Sequence, residues 1–435
     1  MDQLLSSFYH SFAQPAMLAL ARAGNRGCRI DTTLRDRLRA EAEAKRKASS
    51  AAVAAALGRP LNPDSPKQVQ ALLYDELKLP MQRKRQAGGL GPPTSDEEAV
   101  RKLRRLVPQH AALLTLLLDY RGHSKEASQL AVPLEVRDGE SYFITSYNAT
   151  GTTTGRISSS EHILGFGGNL QNQKRGPSRR IFVPRTGMVF VKADASQAEA
   201  RVVAALCRDS ELLERFTHDD FDIHLENAQL LYGGTVEELR KEDLAWKAAV
   251  AAGTATPGHR DSRRQRTKGV THGANYQGGP QVAVKQADIP FAEAKAAIER
   301  YRATHPLLLV WWRRVEDTLR SCRSITTCWG RRRIFLARLD ESALREAVAH
   351  EPQSTVGDLI NHAFFRLDAR LEAVGAWPLL QSHDEIVCEC APSRVTAVAA
   401  ILREEMEQGL DIHGLRLTIP AELSVGENWY DMKGA

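Results

Sequence analysis

A chain of 435 residues, 43% hydrophobic and 26% charged, has the composition of a globular protein of about two to four domains, which excludes disordered, collagen-like and coiled-coil rod proteins. Lys and Arg outnumber Asp and Glu by 59 to 53, and the resulting charge of +6 permits a polyanionic partner without demanding one. No apolar run is long enough to span a bilayer, MDQLLSSFYHSF lacks the basic start of a signal peptide, and six cysteines without a CxxC pair fit a reducing, cytoplasmic compartment.

The first 120 residues read as helices. Ala, Glu, Arg and Leu dominate from Thr33 to Leu57, with Gly58 as the stop, so a long helix is expected. Ser65-Pro66 has the form of an N-cap followed by a first-turn proline and opens a shorter helix towards Leu79. QRKRQAGGLGPP, from Gln82 to Pro93, reads as a flexible loop. Helical periodicity resumes over Thr94 to Tyr120, with Thr94-Ser95 as the cap. From Ala131 to Tyr147 the pattern changes to short strands, followed by the loop ATGTTTGRISSS and by GFGGNLQNQ.

MVFVKAD reads as an apolar strand ending at Asp194, with a helix from Ser196 to Cys207 behind it. Helices fill 210–320, broken at Pro257-Gly258 and Pro290. A hairpin around Trp329-Gly330 and a helix over 341–373 follow. WPLLQ and IVCEC then flank Ser382-His383-Asp384-Glu385 as a strand–turn–strand with acids at the turn.

Three segments carry chemistry. Asp194 ends a strand just before a helix, where carboxylates are most often structural but where ligands also collect. Charged hairpin turns are usually plain solvated groups, yet His-Asp-Glu is an unusual choice of turn residues. Were these strands neighbours of the Asp194 strand, two carboxylates would converge in a way that suits Mg²⁺ ions bridging a nucleotide's phosphates. In HRDSRRQRTKGVTHGANYQGG, Arg260, Arg264, Lys268, His272 and Tyr276 recur every four residues and form one stripe of a helix. Such a stripe is commonly a solvated face. Here it passes from cations to an imidazole to a phenol, matching a phosphate-to-base gradient along a nucleotide. Basic clusters at Arg83-Lys84-Arg85, Arg101 to Arg105 and Arg331 to Arg333 could track a nucleic-acid backbone or be plain surface. No P-loop, GxGxxG, HExxH or GxSxG motif occurs.

The ordered segments Asp194-Ala-Ser-Gln-Ala-Glu199-Ala-Arg201, Arg264-(x)3-Lys268-(x)3-His272-(x)3-Tyr276-Gln-Gly278 and His383-Asp384-Glu385 resemble motifs A, B and C of family A (DNA polymerase I-like) DNA polymerases. TTTGRISSS with NLQN, SPKQVQALLYDELKLP, LLDYRGHSK and Gly426-Glu-Asn-Trp429 extend the resemblance over nearly the whole chain. It implies an α+β right-hand fold. The thumb and adjoining segment would be 1–150, the palm 151–207 and 346–435, and the fingers 208–345. It further implies template-directed addition of dNMP to a primer 3′-OH. Asp194, Asp384 and the carbonyl of Ala195 would hold two Mg²⁺ ions, with Mn²⁺ as a substitute, and Glu385 would support them. Arg264 and Lys268 would grip the phosphates, Lys268 also donating a proton to pyrophosphate. Glu199 would be the steric gate against ribonucleotides, and Tyr276, His272, Gln197 and His224 would complete the dNTP site. Arg156, Asn169, Arg345, Gln353 and His383 would contact primer or template DNA.

Departures from the family pattern accompany the match. His272 replaces the usual Phe or Tyr, so sugar discrimination and pH response are expected to differ. Ala195, Ala198 and Ala200 replace bulkier residues, and Pro352 directly precedes Gln353 instead of standing two residues before it. The thumb-like pattern starts so early that no exonuclease-like domain, hence no proofreading, is expected. The resemblance suits a monomer acting in replication or repair, in the cytoplasm at the nucleoid or in an infected bacterial cell. Competing readings are an inactive primer–template-binding module, a sugar-tolerant RNA-synthesising polymerase, and a metal-dependent nuclease.

Overall fold

The computed structural model describes residues 6–7, 9–86, 89–255, 261–287 and 289–434. Pro257, Gly258 and Arg260 lie outside these residues, as does the side chain of Arg85. The α+β class holds, and the chain divides into two units, one of residues 31–133 and one of 1–30 with 134–435.

The smaller unit is helical. Its first helix, Thr32–Leu57, starts where Asp31 accepts a hydrogen bond from the Leu34 amide and stops at left-handed Gly58. Ser65 caps Pro66–Gln70 by accepting from the Gln68 amide. Val53, Leu72, Leu73, Val100, Leu103, Leu114 and Leu117 close its core. Two expectations are corrected here. The cap before Glu97–Leu106 is Asp96, not Thr94-Ser95: Asp96 accepts from the Ala99 amide, while Thr94 braces Asp96 instead. The segment read as a flexible loop contains a hairpin, Arg83–Gln86 against Gly89–Pro93. Its ladder is carried by backbone groups, which a basic, glycine-rich composition does not betray.

The larger unit is organised by a five-stranded antiparallel sheet. Its strands are β1 (Val189–Ala195), β2 (Ala376–Ser382), β3 (Glu385–Cys390), β4 (Ala421–Gly426) and β5 (Met432–Gly434), in the order β2-β3-β1-β4-β5. The motif MVFVKAD thus supplies the central strand. Val191 and Ala193 of β1 and Ile386 and Cys388 of β3 are fully buried with Leu359, Ala363 and Leu367 of the 32-residue helix Glu341–Glu372. With residues of 395–406 they form one apolar core that fixes the register of the strands. Four helices frame the site: α1 (Ala198–Cys207), α2 (Ile223–Tyr232), α3 (Arg263–Asn275) and α4 (Glu341–Glu372). A four-stranded sheet pairs Glu135–Arg137, Glu140–Phe143, Cys28–Ile30 and Phe182–Val183. Among the described residues no helix is long and apolar enough to cross a membrane.

Candidate active site

The end of the sheet gathers carboxylates. Register sets Asp194 of β1 directly opposite Glu385 of β3 on one side and Glu422 of β4 on the other, so the three side chains share a face. His383 and Asp384 form the two-residue turn between β2 and β3, with His383 in the left-handed region at φ 58°. The Ala195 amide donates to the Asp384 carbonyl at 3.0 Å, which locks the turn onto the end of β1. Glu385 is well served: Trp429 Nε1 donates to it at 3.2 Å, and Arg179 and Lys192 lie 3.6 and 3.8 Å away. Asp194 is not. Burial first, then the charges of Asp384 and Glu385, push its carboxyl up to about 7 against the weaker pull of Lys192.

The basic stripe folds as expected onto one helix. Ser262 caps α3 by accepting from the Gln265 amide. Arg264 pairs with Asp222 at 2.6 Å, and Asp222 in turn caps α2 through the His224 and Leu225 amides. Among the described residues Lys268 has no ion-pair partner, and its charge reaches His224. Burial first, then Lys268, holds the His224 imidazole down to about 3, so it stays neutral. Tyr276 lies one residue past the end of α3.

Glu199, in the first turn of α1, joins these parts. Its carboxylate accepts from Arg156 and from the Tyr276 hydroxyl, and His272 Nδ1 lies 3.3 Å away. Burial alone would raise this carboxyl, but His272, Arg156 and Tyr276 together bring it down to about 2. Two residues earlier, Gln197 adopts φ 51° and clamps the approach to α2, donating to the Phe221 carbonyl at 3.0 Å and accepting from the Ile223 amide at 2.9 Å.

The residues expected at primer or template are more dispersed. Asn169 accepts from the Ser159 hydroxyl and the Asn172 amide and so braces its own loop. Arg345 is exposed near the start of α4, 3.4 Å from Glu341. Gln353 sits two helical turns further, about 12 Å along the axis, just after Pro352 inside α4. His383 is exposed at the turn.

Sequence reasoning missed the groups that hold these residues. Arg331, grouped with surface cations, makes a two-pronged pair with fully buried Asp358 of α4 at 2.7 and 2.8 Å, because a buried carboxylate needs a fixed counter-charge. The Arg331 guanidinium lies where any side chain at Gly155 would collide, and Asn361 donates to the Gly155 carbonyl at 3.0 Å. Arg331, Asp358 and Asn361 therefore set the backbone that carries Arg156. Glycine before Arg156, at φ 76°, was the sequence signal for that close approach. Lys192 and Glu422 carried no comparable signal, and although Gly426–Trp429 was recognised in the sequence, the stacking of Arg179 on Trp429, 3.8 Å from guanidinium to ring centre, was not.

Comparison with known proteins agrees with this geometry. The model of DNA polymerase family A matches residues 32–431. The thermostable DNA polymerase I of Thermus thermophilus is 31% identical over 99% of this chain and 49% of its own length. The DNA polymerase I of Pseudomonas aeruginosa is 29% identical over 95% of this chain and 43% of its own. The chain thus spans about half the length of the curated relatives it matches. Among solved structures, the POL domain of Pol1 from M. smegmatis, in complex with DNA primer-template and dNTP, superposes with a TM-score of 0.77 at 26% identity, covering 97% of this chain and 71% of that one. Carboxylates converging at the end of the central strand, a cationic helix whose His272 meets Glu199 of α1, and a family match over 400 residues lead to one assignment: the chain belongs to DNA polymerase family A.

Proposed function

We propose that this chain is a template-directed DNA polymerase that adds dNMP to a primer 3′-OH and releases pyrophosphate. The observation that supports the reading is that β1, which ends in Asp194 against the Asp384 turn, leads within five residues to Glu199 of α1, and Glu199 meets His272 of the Arg264–Lys268 helix and Tyr276 just past its end. The same linkage leaves a nuclease reading with a cationic helix it has no use for.

Asp194, Asp384 and the Ala195 carbonyl form a hard-oxygen donor set that fits divalent ions such as Mg²⁺ or Mn²⁺. Among the described residues no group of three His, Cys, Asp or Glu side chains is placed to hold a metal ion. Bound there, such ions would lower the pKa of the primer hydroxyl and neutralise charge on the leaving pyrophosphate. Arg264 and Lys268 bind and orient the triphosphate, and the Lys268 ammonium donates a proton to the departing oxygen. Neutral His224 lines the phosphate side without adding charge. Glu199, pinned by three donors, fills the space a ribose 2′-OH would need. Arg156, Asn169, Arg345, Gln353 and His383 face the primer–template. In this reading the thumb is 1–150, the palm 151–207 with 346–435, and the fingers 208–345.

Extension of a labelled primer in Mg²⁺, with dNTPs, rNTPs or no nucleotide, tests the proposal. Stepwise growth with dNTPs only, and an intact primer without nucleotide, are expected of this chain. Tight primer–template binding without extension would make it an inactive binding module, and primer shortening would make it a nuclease.

A further inference from the structure

Between Ser160 and Asn169 the chain makes a compact excursion with an unusual tip. Its two ends are pinched together by the Thr145 hydroxyl, which lies 3.0 Å from the Ser160 carbonyl and 2.8 Å from that of Gly168. Within it, the His162 amide donates to the Phe166 carbonyl at 3.0 Å and the Gly165 amide to the His162 carbonyl at 2.8 Å. His162 Nδ1 accepts from the Leu164 amide, which leaves the proton on Nε2, 2.7 Å from Asn25 Oδ1. Gly167 adopts φ 63° with its backbone against Ile144, where a Cβ would lie 1.7 Å from the Ile144 carbonyl oxygen. The excursion is therefore a braced turn, and it spends this bracing on holding two aliphatic side chains out in water. Ile163 is 89% exposed and Leu164 61%. A lone exposed aliphatic residue is ordinary, but an adjacent pair held out by a rigid turn is a contact surface in search of a partner.

The surroundings identify the partner. Residues 156–180 carry five cations, Arg156, Lys174, Arg175, Arg179 and Arg180, against the single carboxylate of Glu161, although Arg156, Arg179 and Arg180 face Glu199, Glu385 and Asp431 from other segments. The base of the excursion is fastened to the catalytic turn. Gln171 Nε2 donates to the Gln381 side-chain and main-chain oxygens at 3.0 and 3.1 Å, and Gln381 Nε2 donates to the His383 carbonyl at 3.3 Å. The tip thus springs from a basic segment anchored beside Asp384, where a polyanion with apolar sugar and base edges would pass. We infer that Ile163 and Leu164 form an apolar contact with the primer–template duplex next to the active site and slow its release. The inference rests on the polymerase reading of that site.

The test compares wild type with the double variant Ile163→Ser/Leu164→Ser on a labelled primer–template. Release of the DNA is followed by stopped-flow against excess competitor, and single-turnover insertion is measured at saturating primer–template. Faster release by about five- to tenfold, with shorter runs of synthesis and unchanged single-turnover insertion, is expected. Unchanged insertion also establishes that the variant is folded, and Ile163→Val/Leu164→Met is expected to keep slow release. Unaltered release would overturn the inference, as would a variant whose only change is lost association between protein molecules. A wild-type chain that binds DNA but never extends it would sink the polymerase reading separately, because release is measured without chemistry.

Discussion

Two half-buried acids, one on the sheet and one on the helix behind it, solve opposite problems. Asp194 is surrounded by Asp384, Glu385 and Glu422, and the carboxyl is pushed up to about 7. Glu199, five residues on, is surrounded by donors and falls to about 2. The first site is short of positive charge, which in the proposed mechanism a divalent cation would supply. The second is complete in itself and stays charged over the whole working range of pH. A reaction centre and a positioning device can thus be told apart by whether the protein has already balanced their charge.

The largest expected effects break the first site. Asp194→Ala or Asp384→Ala should lower kcat by roughly 10³-fold or more, read as single-turnover primer extension. Lys268→Ala should follow at about 10²-fold. The contrast sharpens when stability is measured beside activity. Asp194→Asn removes a crowded charge, so in EDTA at pH 8 it should raise stability by about 1–2 kcal/mol while abolishing extension. Glu199→Gln should do the reverse, losing about 1–3 kcal/mol as Arg156, His272 and Tyr276 lose their charged acceptor. Equal shifts of the same sign in both variants would collapse the distinction.

The effect on sugar choice is next in size. Truncation in Glu199→Ala opens the space assigned to the gate, and the preference for dNTPs over rNTPs should fall by roughly 10- to 100-fold in kcat/KM. His272→Phe keeps a ring but removes one of the three donors. A fall in discrimination of about tenfold or less is expected, read as the ratio of kcat/KM for dNTPs and rNTPs. Unchanged discrimination in His272→Phe would remove the imidazole from the gate.

The same contrast shows what the sequence could and could not disclose. Spacing located Asp194, the α3 stripe and the His383-Asp384 turn, because helical and strand periodicities convert spacing directly into shared faces, whereas Glu199 came only with the resemblance to the family motifs. Spacing could place Glu385 beside Asp194 only on the condition that their strands are neighbours, and gave nothing for Glu422, since both depend on pairing strands about 190 to 230 residues apart. Nor could it disclose the Arg331–Asp358 pair, whose partners lie on a hairpin and a helix. The hairpin over 83–93 was hidden by a composition that reads as loop, and the Asp96 cap by a neighbouring Thr-Ser that serves equally well on paper. Periodicity speaks for single elements; counter-charges and braces are tertiary.

The smallest expected effect concerns neutral imidazoles in the larger unit. Burial holds His224 and His362 down to about 3 and His350 to about 4. An unfolded chain takes up these three protons as pH falls below about 6.5, whereas the folded chain does not, so stability is full above that value and is lost progressively towards pH 4. Asp194 at about 7 and Asp358 at about 6 act in the opposite sense, each holding a proton in the fold that the unfolded chain gives up. Three against two leaves a net loss on the order of 1 kcal/mol per pH unit between pH 6 and 5. His362 is the residue to change. Its ring is stacked between Phe12 and Trp329, with centroids 3.8 and 4.1 Å away, and its Nδ1 has no partner among the described residues. His362→Phe keeps the stack and removes the titration, so the decline of Tm from pH 7 to pH 5 should flatten by about one proton's worth. An unchanged slope would mean that His362 takes up its proton equally in the folded and the unfolded chain.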